Sequence, residues 1–186
     1  MKPTLLIAFF AVVFQLSAWA QPCWGDGVQL FSQNDVDNLK SISQGCTSVV
    51  GSVSIYGADI TNLDSLNWIT SIGGNLWISP NAQLTSLQGL SNLTHVGGLV
   101  YISGNAALEN LAGLNNLQTI GGGLLINDNP QLRNVDGLNS LNSIGADLNI
   151  GNNPLLLNVD GLSNLTTVGQ TMSILLRRQC TATHKY

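Results

Sequence analysis

Three aspartates occupy one place in a repeating pattern: Asp64, Asp136 and Asp160, with Gln88 and Ala112 at the same place between them. Asp136 and Asp160 are 24 residues apart, one repeat, which sets them on neighbouring coils about 5 Å apart. Two carboxyl groups at that spacing suit a retaining glycoside hydrolase, one as acid/base and one as nucleophile. They also suit Ca²⁺, but calcium needs six or more oxygens, and the pattern supplies no others. Solvated turn residues are the favoured reading of the pair. His95 replaces Ser71, Thr119, Ser143 or Thr167 in its column and has no Cys or carboxylate column beside it. Arg133 is the only Lys or Arg between residues 49 and 176. Lyases built on stacked coils need a basic group beside the acidic ones to take a proton and hold the resulting anion. No catalytic residue, metal site or cofactor is therefore expected.

A second column suits binding better than catalysis. Ser54, Trp77, Tyr101, Leu125, Asn149 and Ser173 recur between two apolar residues, and Asn75, Leu99, Gly123, Asp147 and Thr171 run beside them. Trp77, Leu99, Tyr101 and Leu125 would form one apolar patch on a polar surface, the composition of a ligand-binding site. Stacking on sugar rings and contact with a flat protein surface both suit it. Cross-strand packing that stiffens a sheet is the alternative.

What must position these columns is a repeat. A hydrophobic residue followed by Gly returns every 24 residues, at Ile72-Gly73, Val96-Gly97, Ile120-Gly121, Ile144-Gly145 and Val168-Gly169, with Val50-Gly51 as an earlier, shorter copy. A period of this size marks a solenoid stacked from one unit. Triplets such as Leu76-Trp77-Ile78 and Val100-Tyr101-Ile102 alternate with period two, predicting one strand per coil in a parallel sheet. Asn81, Asn105, Asn129 and Asn153 follow three residues later and read as a structural ladder bonding backbone groups left open by a turn. Leu84, Leu87, Leu90, Leu93 and Val96 are spaced by three, which fits 3₁₀ turns or short extended pieces joined by corners. The repeat predicts a mainly β solenoid of about six coils over residues 49–176.

The termini differ. Lys2, the apolar run Leu5 to Phe14 and Ala18-Trp19-Ala20 predict a signal peptide over 1–20, hence a secreted or cell-surface protein. Cleavage there removes Lys2, leaving five basic against ten acidic residues and taking the net charge from −4 to −5. That argues against nucleic acid and anionic membranes as partners, and no later stretch is long enough to span a membrane. Residues 21–48 read as an N-terminal cap. Ser32 starts a short helix with Val36, Leu39 and Ile42 on one face, and Gly45 ends it. Export permits a Cys23–Cys46 bridge worth about 3 kcal/mol, although three cysteines allow three single pairings. Residues 177–186 form an irregular tail in which Arg177 stands where Asn should recur. Self-association is open there, through the last coil or through Cys180. Asn92-Leu93-Thr94 and Asn164-Leu165-Thr166 are glycosylation sequons if the source is a eukaryote.

The unit L-x-x-[IV]-G-x-x-L-x-I-x-x-N overlaps the leucine-rich repeat in its L-x-L-x-x-N portion. It departs where that family places another Leu, which here is Gly73, Gly97, Gly121, Gly145 or Gly169. Leu39-Lys40-Ser41-Ile42, then the run from Cys46 to Ile55, resembles the opening of the receptor L domain, the repeat domain of insulin- and EGF-receptor ectodomains and of some microbial surface proteins. The resemblance covers about residues 23–176. It implies a right-handed, single-chain β-solenoid that is extracellular, non-enzymatic and used for binding. The expected function is recognition or adhesion through the sheet face, with a protein or a glycan as partner. A stiff cell-wall or matrix rod is the alternative, and a glycan hydrolase at Asp136 and Asp160 the less favoured one.

Overall fold

A computed structural model describes residues 23–43 and 45–176. The expected signal peptide, the tail and Cys180 lie outside the described residues. The fold is mainly β. In chain order the elements begin with β1 (Val28–Leu30), α1 (Gln33–Ile42), β2 (Ser48–Val49), β3 (Val53–Ile55), β4 (Ser71–Ile72), β5 (Leu76–Ile78) and β6 (His95–Val96). They continue with β7 (Val100–Ser103), β8 (Thr119–Ile120), β9 (Leu124–Asn127), β10 (Ser143–Ile144), β11 (Leu148–Gly151), β12 (Thr167–Val168) and β13 (Met172–Ile174). The odd-numbered strands form a seven-stranded parallel sheet in sequence order, and the even-numbered ones a six-stranded sheet. Single 3₁₀ turns at Asp64–Leu66, Gln88–Leu90, Asp136–Leu138 and Asp160–Leu162 connect them.

The alternation in each triplet sets the larger sheet. Leu76 pairs with Val100, Trp77 with Tyr101 and Ile78 with Ile102, so inward residues stack on inward residues. The leucines spaced by three close the other side. Leu84, Leu87, Leu90 and Leu93 are fully buried, as are Leu108, Leu111, Leu114 and Leu117. Burying each is worth about 1.5–3 kcal/mol, and together they fill one core along the stack.

Asparagine binds coil to coil inside that core. Oδ1 of Asn81 accepts the Gly57 N–H at 3.0 Å, and its amide donates to the Ile55 carbonyl at 3.0 Å. Asn105, Asn129 and Asn153 repeat the arrangement, each accepting the N–H of the Asn one coil earlier. A second set works at the surface. Asn62, Ser86, Asn110, Asn134 and Asn158 each accept the N–H two residues on, four of them leading into a 3₁₀ turn.

Helix α1 starts where Ser32 accepts the Asp35 N–H at 3.2 Å, while Asp35 accepts the Phe31 N–H and the Ser32 hydroxyl, both at 2.9 Å. Those bonds hold the Asp35 carboxyl below its ordinary value of 3.8, the Phe31 N–H contributing most. Val36 and Leu39 are buried against the core, but Ile42 is 56% exposed, so the expected apolar face is one residue shorter. Three other features differ from the pattern. Strand β1 adds Val28 and Leu30 to the sheet before the helix. The hydrophobic-Gly steps form a second sheet rather than bare corners. Finally, Val49 pairs with Ile72 and is buried, whereas Val50 is 52% exposed, so the earliest copy is shifted by one residue from Val50-Gly51.

Candidate ligand-binding face

The outward face of the seven-stranded sheet collects the aromatic column. Trp77 and Tyr101 lie opposite each other on β5 and β7, with ring centroids 5.0 Å apart and planes tilted by 52°. Tyr101 in turn faces Leu125 on β9. Gly123 lets Leu99 join them: the Cδ1 atoms of Leu99 and Leu125 both stand 3.4 Å from where a Gly123 Cβ would be. The two leucines fold over a glycine that leaves the space open, and together the four side chains make one surface. Trp77 is 36% exposed. Beyond Leu125 the face turns polar, with a hollow of about 270 Å³ lined by Asp147, Asn149, Thr171 and Ser173. Asp147 accepts the Thr171 N–H at 2.9 Å.

A second aromatic pair on this face escaped the column. Phe31, directly after β1, meets Tyr56, directly after β3, edge to face at 4.5 Å. The Tyr56 hydroxyl reaches Gln29 on β1 at 3.4 Å, which puts it on the outward side. Its signal was the alternation carried two residues past the Ser54 column, to Phe31 and Tyr56.

The other candidates are placed apart from this face. Asp64, Asp136 and Asp160 each open a 3₁₀ turn, are exposed, and donate their backbone N–H to Oδ1 of the Asn two residues before. Among the described residues no cluster of three or more His, Cys, Asp or Glu is arranged to hold a metal ion. His95 stands on β6 of the smaller sheet, with Nδ1 2.6 Å from the Thr119 hydroxyl. Arg133 meets Glu109 through its backbone N–H, at 2.9 Å. In the sequons, Asn92 donates to the Asn67 carbonyl and Asn164 to that of Asn139, each at 2.7 Å. Thr94 and Thr166 bond the preceding coil in the same way. Asn116, outside any sequon, does the same with Ser91. Cys23 and Cys46 are joined in a disulfide. At the far end of the stack Met172 and Leu175 are 57% and 67% exposed.

The family model of the receptor L domain matches residues 45–110, a span that includes β3, β5 and β7 with both Trp77 and Tyr101. No curated protein and no solved structure matches the chain. The family is one of non-enzymatic, ligand-binding domains of extracellular ectodomains. A disulfide fits that setting, and no helix among the described residues is long and apolar enough to cross a membrane. Over residues 45–110 the chain is thus similar to the receptor L domain.

Proposed function

We propose that this chain is a secreted or cell-surface recognition domain that binds a protein or glycan, without catalysis, through the outward face of its seven-stranded sheet. The observation that carries this is the contact of Trp77 with Tyr101, continued by Leu99 and Leu125. Large apolar side chains grouped on a polar surface favour a binding role, and the family binds ligands. In this reading residues 1–20 are the export signal. Residues 21–48 are the cap, with α1 covering the first coil, and residues 49–176 make about six right-handed coils. The test replaces Trp77 and Tyr101 with Ser and measures binding to arrays of extracellular proteins and glycans. Binding should fall at least tenfold with the fold intact by circular dichroism; undiminished binding would refute the reading.

A second reading, a self-associating rod, draws on the exposed Met172 and Leu175 at the end of the stack. Sedimentation should then show concentration-dependent oligomers that disappear in Met172→Ser/Leu175→Ser.

A further inference from the structure

We infer that the sheet face carries two aromatic subsites rather than one, and that together they take an elongated neutral oligosaccharide. This rests on the recognition reading above and names the class of ligand. The first subsite is Trp77 with Tyr101, the second Phe31 with Tyr56. Beside Tyr56 lies an apolar hollow of about 250 Å³ bordered by Gly57, Ala58, Pro80 and Ala82. The pairs lie two strand spacings apart and two residues out of step along the strands, a separation of about 12 Å. That exceeds a single sugar ring, so a ligand touching both is a chain.

Charge and free hydrogen-bonding groups give the chemistry. Among the outward positions of the seven-stranded sheet, Asp147 is the one charged residue, and its Oδ1 is already bonded to Thr171. Some asparagines are occupied by the fold: Asn75 on this face, and Asn62, Asn81, Asn92 and Asn164 away from it, all bond backbone groups. Other neutral side chains of this face are not: Ser54 pairs with Trp77, and Asn127 and Asn149 lie on the two strands past Tyr101. The side chains of Ser54, Asn127 and Asn149 make no hydrogen bond with the described residues. Neutral donors and acceptors left free beside exposed rings match a ligand with apolar ring faces and hydroxylated edges. An ionic ligand would find no cation here, and the nearby carboxylates are already engaged: Asp147 by Thr171, Asp35 by the Phe31 N–H and Asp59 by the Gln33 N–H. Aromatic rings stack on such faces while the amides and hydroxyls bond the edges.

Titration of the full chain with neutral glucose, mannose and N-acetylglucosamine oligomers, from one sugar to six, followed by tryptophan fluorescence and calorimetry, tests this. In at least one series affinity should rise tenfold or more between the shortest and longest oligomers. Phe31→Ser/Tyr56→Ser should flatten that rise and leave the response to short sugars, whereas Trp77→Ser should remove both. Tyr56→Phe, which keeps the ring, controls for folding and should keep most of the length dependence. Affinity independent of length overturns the second subsite. Binding of a protein, but of no neutral glycan, through Trp77 overturns the glycan inference and leaves the recognition reading standing. Glycan and protein binding that both ignore Trp77 overturns both.

Discussion

Oδ1 of Asn105 accepts two hydrogen bonds from one residue of the preceding coil, the backbone N–H of Asn81 at 3.1 Å and its side-chain amide at 3.0 Å. The Asn105 amide meanwhile donates to the carbonyls of Ile78 and Ser103. Asn105→Ala orphans all of these in a place without solvent access, and each orphaned group costs about 1–3 kcal/mol. The expected loss is about 3–5 kcal/mol, read as a lowered urea midpoint. Asn134→Ala, at the surface, should cost about 1 kcal/mol or less.

Gly137 faces the Leu111 carbonyl of the preceding coil, and a Cβ there would overlap it. Backbone cannot yield as a flexible side chain does. Gly137→Ala should therefore destabilise by about 4 kcal/mol or more, or leave the protein insoluble. Gly25→Ala, where a Cβ meets nothing within 4 Å, should melt within about 0.5 kcal/mol of the parent.

The disulfide closes a separation of 23 residues. Cys46→Ser should lower the unfolding free energy by about 3 kcal/mol. Adding dithiothreitol should produce a similar loss in the parent and none in the variant.

The Asp35 carboxylate is favoured by the Phe31 N–H and the Ser32 hydroxyl, so its folded pKa lies below the ordinary 3.8. A depressed acid contributes stability above its unfolded pKa and loses it as pH falls through the folded value. Amide exchange in α1 should accelerate as pH drops below 3.8, after correction for intrinsic exchange rates. Asp35→Asn should blunt that pH response.

Much of the scaffold was legible because each coil repeats the same few constraints. Leucines spaced by three are buried, triplets pair in register, and Asn81 and Asn105 hold the corner. The smaller sheet was not legible: its strands are two residues long, too short for a period to emerge. Strand β1 was hidden because Val28-Gln29-Leu30 lies before the helix, outside the run of repeats that starts at Val50-Gly51. At the face, Trp77 and Tyr101 stood out as members of one column. Phe31 and Tyr56 did not, because their neighbours in the next column are Ser79, Ser103, Asn127 and Gly151, and an apolar run that crosses columns diagonally looks like scatter.

The bonds of the asparagine ladder connect residues exactly one repeat apart, as from Asn81 to Asn105 and from Asn129 to Asn153. A duplicated block of 24 residues would meet the same partners above and below it, so the chain can lengthen by copying without inventing a new contact. Each copy would widen the sheet by about 4.8 Å and add one more outward row of side chains. The breadth of what this surface can grasp is thereby a countable trait, set by copy number, while its taste is set row by row.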